Sequence, residues 1–192
     1  MTNQATALSK LDGIELPQPG EWEIDQAHSS VGFVARHLMV AKVRGRFEGF
    51  QGSVTIGVHP GVSAVNATID AASINTANEQ RDGHLRSPDF LDVENFPTLR
   101  FRSTSVKQNG GTSLLMSGDL TIKDVTKPVD LEVNFEGVTS DPFGNTKAVF
   151  SAETEIDREE FGITWNQALE TGGVLVGKRV KIQLEISTVL KA

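Results

Sequence analysis

The sequence of 192 residues contains no cysteine and no tyrosine. Without cysteine there are no disulfides and no thiolate chemistry, so a packed core must carry the fold, and a chain this long can bury one. Without tyrosine, and with Trp present twice against 10 Phe, the aromatic content is almost wholly apolar. That composition suits a greasy interior better than a surface that stacks sugars or bases. Positive charge is also scarce, with 18 Lys and Arg against 25 Asp and Glu and a net charge of -7. An acidic chain with no basic cluster lacks the phosphate-neutralising charge that nucleic-acid binding draws on, so no nucleic-acid partner is expected. No stretch approaches the roughly 18 to 20 apolar residues of a membrane helix. The N-terminus has no basic region leading into an apolar run, so it does not read as a secretory signal, and a cytoplasmic protein is expected.

What is present is strand-like alternation from Trp22 onward. It sets Val31, Phe33, Ala35 and His37 on one face of the first long strand, and Phe50, Val54, Ile56 and Val58 on one face of the next. Val65, Ala67 and Ile69 share a face, as do Leu99 and Phe101. Further on, Leu114, Met116, Gly118, Leu120 and Ile122 align, followed by Val129, Leu131, Val133 and Phe135. Asn109-Gly110-Gly111, Lys123 to Pro128 (KDVTKP) and Asp141 to Asn145 read as hairpin turns. About eight or nine strands at hairpin spacing predict an antiparallel barrel or sandwich. Closure into a barrel removes exposed sheet edges and leaves room for one small ligand. Residues 1–20 read as a flexible N-terminal arm, with Leu8, Leu11, Ile14 and Leu16 as its packing residues, ahead of one domain over 21–192.

Residues 73–97 break the alternation. Thr76 and Glu79 form a capping-box pattern that predicts a short helix over about 77–85, interrupted by Gly83. Ser87-Pro88 predicts a second over about 88–94, stopped by Asn95-Phe96-Pro97. A connection this long inside a compact β domain carries a function or covers something.

A series of short motifs then falls in order along the chain. It comprises Trp22 to Ser29 (W-x-I-D-x-x-H-S), Val43 to Phe47 (V-x-G-x-F), Ser73 to Thr76 (S-I-x-T) and Arg81 to Leu85 (R-D-x-H-L). Asp89-Phe90, Phe96-Pro97, Gly118 to Ile122 (G-D-L-T-I), Val125 to Val129 (V-T-K-P-V) and Arg158 to Ile163 (R-x-x-F-G-I) complete it. In this the sequence resembles the YceI-like family of polyisoprenoid-binding, lipocalin-like proteins, from about Trp22 to the C-terminus. The resemblance implies an all-β, extended antiparallel eight-stranded barrel with the two short helices covering one end. It also implies a binding or carrier protein, not an enzyme, that sequesters a polyisoprenoid, isoprenoid quinone or similar lipid, as a homodimer. The sequence departs from the family pattern at Asp124, where Gly is common, and many relatives are exported.

Four histidines, His28, His37, His59 and His84, show no pairing at metal-ligand spacing, so neither a metal site nor a cofactor is expected beyond a bound lipid. No catalytic residue is assigned. The expected apolar contacts to the ligand are Phe33, Phe47, Phe90, Phe101, Phe150, Phe161 and Trp165. Arg81, Asp82 and His84 cluster on the first helix, where they either grip a ligand head group at the barrel mouth or pin the helices to the barrel. Two other functions fit less simply: an enzyme or redox accessory using His84 and Asp82, and a stress-response interaction module with a filled core. The Gly-rich Thr171 to Gly177 lacks the Lys and the following helix of a phosphate loop and reads as a hairpin.

Overall fold

A computed structural model describes residues 8–11, 14–170 and 172–191. Strands β1 (Leu8–Leu11) and β2 (Ile14–Pro17) form a small separate hairpin. The remaining strands join one antiparallel sheet. Its first half comprises β3 (Gly20–Ile24), β4 (Ser30–His37), β5 (Ala41–Phe47), β6 (Phe50–Ile56), β7 (Ala64–Asp70) and the two-residue β8 (Ile74–Asn75). After α1 (Glu79–Arg86), the one α-helix among the described residues, come β9 (Thr98–Gln108), β10 (Ser113–Ile122), β11 (Val125–Ser140), β12 (Thr146–Asp157) and β13 (Val176–Leu190).

The ring runs β12-β11-β10-β9-β7-β6-β3-β13, and β13 returns to β12 over eleven register pairs from Asp157↔Arg179 to Lys147↔Val189. This is the closed, eight-stranded antiparallel barrel that the family resemblance implies, where the alternation alone left barrel and sandwich open. Strands β4, β5 and β8 continue the sheet from the Val176 to Glu185 segment of β13, and β4 and β5 add Val31, Phe33 and Phe47 to the barrel wall. The switch from β3 to β4 happens at Asp25, whose carboxylate accepts the Ala27 amide at 3.2 Å and opens a 3-10 turn over Gln26–His28. That turn steps the chain along β13 without leaving it, so β3 and β4 pair with successive segments of one partner.

The two ends of the barrel differ. One carries the short β6–β7, β9–β10 and β11–β12 turns; the other carries α1 with its flanking loops, the β10–β11 turn and residues 158–175. At the second end, Phe90, Leu91, Phe161 and Ile163 are buried with Ile69, Leu99, Leu120 and Ile156 in the largest core cluster. A second cluster near the first end joins Leu16, Trp22, Phe135 and Ala148.

Several local expectations change. The N-cap of α1 is Asn78, whose side chain accepts the Arg81 amide at 2.9 Å, and not Thr76. Thr76 is drawn away because its amide and hydroxyl both donate to the buried Asp82 carboxylate, at 2.9 and 2.5 Å. Gly83 lies inside α1 without interrupting it. The second expected helix, over 88–94, is a run of turns, with the Asp92 and Val93 amides folded back on Ser87 and Arg86 carbonyls. In the β10–β11 turn the left-handed residue is Lys123 (φ 57), so the Asp124 departure is met by its neighbour. Within the arm, Leu16 is buried against the barrel. Residues 1–7, 12 and 13 and the side chains of Leu8, Leu11 and Ile14 lie outside the described part, as does Thr171.

Candidate functional site

The inward faces of the strands do not meet at the barrel axis. They enclose a cavity of about 230 Å³ that runs from the closed end to the β6–β7 turn and the Leu16-Pro17 corner. For scale, an apolar cavity of about 150 Å³ stays dry and binds benzene. The wall is built from the alternating faces: Val31 and Phe33 of β4, Val54 and Ile56 of β6, Leu114 and Met116 of β10, Leu131 and Val133 of β11. Ser63 and Thr154 supply the polar side chains of the wall, and no ionisable group lines it among the described residues. Ser63 is already engaged, since its hydroxyl accepts the Gly57 amide at 3.0 Å.

Two glycines help to keep the bore open. A Cβ on Gly45 would collide with the Phe33 ring, and one on Gly118 with the Phe101 ring. Each ring therefore lies along the wall, over a neighbouring strand that has no side chain there. This is the aromatic-over-glycine pairing known to pin sheet register.

Of the seven expected apolar contacts, Phe33, Phe47, Phe101 and Phe150 line this cavity. Phe90, Phe161 and Trp165 do not. They pack in the closed end, where Phe90 and Trp165 stand 5.3 Å apart and His84 meets both rings edge-on, at 5.0 and 4.7 Å. Alternation also identifies the wall residue Phe50, whereas nothing local in the sequence marks Leu16 and Pro17 as its far corner.

Arg81, Asp82 and His84 lie at the closed end, opposite the mouth, and none lines the cavity. Arg81 donates from Nε to the Thr76 hydroxyl at 2.7 Å and from its terminal nitrogen to the Thr76 carbonyl at 2.9 Å. With Asp82 on the same threonine, the two residues clamp the strand-to-helix corner. The His84 Nε2 stands 2.8 Å from an Asp89 carboxylate oxygen. Each of the three groups is engaged within its own loop.

A fourth charged residue, the first of the R-x-x-F-G-I motif, has a structural role that the motif does not reveal. Arg158 is buried, and its guanidinium donates to the carbonyls of Ile163, Trp165, Val176 and Gly177 at 2.7 to 3.3 Å. Burial pushes its pKa down from the ordinary value. It meets four carbonyls and no carboxylate, so it serves as a cationic hub that shapes the loop carrying Trp165. At the other end, Asp25 receives Lys147 Nζ at 2.7 Å and faces His28 Nδ1 at 2.8 Å, while Lys147 reaches Asp141 at 3.8 Å. No group of His, Asp and Glu that could hold a metal ion occurs among the described residues.

The profile of the YceI-like domain matches residues 22–188. The chain belongs to the YceI family. It is 42% identical over 161 residues to the UPF0312 protein SA2479 of Staphylococcus aureus (strain N315), covering 83% of this chain and 91% of that protein. Among solved structures, it is similar to BcnA of Burkholderia cenocepacia, at a TM-score of 0.75 and 22% identity over 85% of this chain and 98% of that one. The YceI protein of Campylobacter jejuni superposes with a TM-score of 0.70 at 25% identity, covering 82% and 90% of the two chains. A polyisoprenoid-binding domain from Saccharophagus degradans gives 0.69 at 13% identity, covering 91% of this YceI-like chain and all of its own. No helix among the described residues is long and apolar enough to cross a membrane.

Proposed function

We propose that this YceI-like protein is a carrier that sequesters the tail of a long-chain amphiphile, an isoprenoid chain by preference, in the barrel bore. The observation that carries the reading is the wall itself: an open-ended cavity with no ionisable side chain among its described lining residues. Such a wall needs few polar contacts, because each buried CH₂ contributes about 0.8 kcal/mol. The polyisoprenoid-binding character of the Saccharophagus degradans neighbour agrees with this ligand class. Phe33, Phe47, Phe101 and Phe150 are the aromatic contacts in this reading, and the polar head stays at the mouth. A filled core fits less well with a cavity of about 230 Å³. A catalytic role for His84 and Asp82 finds no support in groups already committed to Asp89 and Thr76.

The test is organic extraction and native mass spectrometry of protein from its own host, paired with titration by a fluorescent prenol. Co-purified lipid or saturable uptake supports the carrier. A protein that is empty and also refuses the probe overturns it. A homodimer belongs to the same proposal, and sedimentation at twice the chain mass would support it.

A further inference from the structure

The open end of the barrel is apolar on its outside as well as its inside. Val58 is 72% exposed although its side chain also lines the bore, Val62 in the same turn is 54% exposed, and Phe143 at the tip of the β11–β12 turn is 89% exposed. The turns at this end are also poor in charge. Residues 57–63 (GVHPGVS) and 109–112 (NGGT) contain no Asp, Glu, Lys or Arg, and residues 141–145 (DPFGN) contain Asp141 alone. Asp141 is turned inward, accepting the Phe143 and Asn145 amides at 2.9 and 3.0 Å and the Asn145 side chain at 2.8 Å. The opposite end is richer in charge, since seven of residues 76–97 are Asp, Glu or Arg, although it too exposes apolar side chains, Leu38, Met39 and Val40, in the β4–β5 turn. Beyond Asp141, charges flank these turns on the adjoining strands, among them Glu15, Glu21, Lys107, Lys147 and Lys191.

Phe143 is held firmly. Its turn is closed by the Asp141 contacts and tied through Lys147 to Asp25 and the barrel wall. A phenylalanine 89% exposed on an anchored turn keeps most of its apolar surface in water. Continuity with the mouth says what covers it. A long-chain lipid must leave a bilayer to enter the bore, and an apolar, nearly uncharged rim that enters the headgroup region shields that passage from water. Net charge of -7 points to a zwitterionic surface over an anionic one.

We propose that the Val58, Val62 and Phe143 rim docks the open end onto a zwitterionic lipid bilayer, so that ligand passes between membrane and bore without crossing water. This rests on the carrier reading, so the test separates the two. Neither Val62 nor Phe143 lines the cavity, and the Val62→Asp/Phe143→Asp double variant changes the outer rim alone.

The full chain is floated with phosphatidylcholine vesicles, and transfer of a dansyl-labelled prenol from those vesicles is followed by stopped flow. Wild-type protein is expected to float, with a transfer rate that rises with vesicle concentration. The double variant should lose on the order of tenfold in both vesicle partition and transfer rate, because two apolar anchors become carboxylates. Its affinity for the same prenol added from aqueous solution should not change. Wild type that does not float, or a double variant that floats and exchanges like wild type, overturns docking. A double variant that floats like wild type but sediments as a smaller species also overturns it, assigning the patch to a second copy of this chain. Flotation that depends on Phe143, with no prenol uptake by either protein, supports docking and overturns the carrier.

Discussion

The ring of Phe33 occupies the space that a side chain on Gly45, its register partner on β5, would need. The two residues act as one unit: the glycine keeps the phenylalanine against the wall, and the phenylalanine covers the bare strand.

Gly45→Val should therefore destabilise the barrel by about 1 to 3 kcal/mol through overpacking, as read from urea melts. The same substitution in a Phe33→Ala background should cost less, a non-additive pair, with the Thr76 methyl as the clash that remains. Equal costs in both backgrounds would dissolve the unit.

Met116 faces the bore from β10, half-buried and flexible, which makes it the least strained place to fill the cavity. Met116→Trp is expected to keep a cooperative thermal transition while prenol uptake drops by at least about tenfold, the loss that burying about two fewer CH₂ groups would give. Undiminished uptake would place the ligand elsewhere.

Asp82→Ala removes the acceptor for the Thr76 amide and hydroxyl at a buried site. The expected cost is about 1 to 3 kcal/mol of stability, with prenol affinity unchanged at a temperature where the variant is folded. A large loss of affinity there would return Asp82 to the ligand head group.

The Asp25 carboxyl lies below its ordinary value, first because Lys147 donates to it and then because His28 adds to that, against the opposing effect of burial. A depressed folded pKa stabilises the native state fully above the ordinary carboxylate range and loses that contribution as the pH falls through the depressed value. Lys147→Met removes the main cause, so acid unfolding followed by near-UV circular dichroism should begin at a higher pH than in wild type. An unmoved acid midpoint would show that the pair contributes nothing to the fold.

Arg158→Lys cannot reach four carbonyls with one ammonium group, so some buried acceptors lose their donor. About 2 to 4 kcal/mol of stability should go, together with the near-UV signal of Trp165. A variant as stable as wild type would mean that water replaces the guanidinium there.

The bore was legible in the sequence because alternation marks one face of every strand, and a closed barrel gives those faces one place to go. Phe33, Phe101, Leu114 and Val133 could thus be read as sharing an interior. Residue type gave no such help with Phe90, Phe161 and Trp165: apolar rings must be buried, but whether in wall or plug depends on how residues 76–97 and 158–175 fold back. The cap of α1 was missed for a related reason. Thr76 and Asn78 are both good N-caps, and the choice between them is made by Asp82, a partner six residues on whose burial is a tertiary fact. Arg158 stands out in the sequence as a motif residue, but nothing near it, with Glu159 and Glu160 beside it, gives its role. Only the path of the loop brings four carbonyls to it.

The ring closes through β13, which meets β12 on one edge and β3 and β4 on the other. Its partners in β3 were made more than 160 residues earlier, as in the pair Glu23↔Val189. While the chain emerges from the ribosome, every other strand can pair with a neighbour, yet without β13 the sheet remains two open ribbons, β12 to β3 and β4-β5-β8, with bare edges and an uncovered apolar face. Such a ribbon is prone to pair with its own copies, and long-range closure is slow. The final strand thus acts as a zip fastener whose slider arrives last, and the nascent protein is most vulnerable to aggregation just before it does.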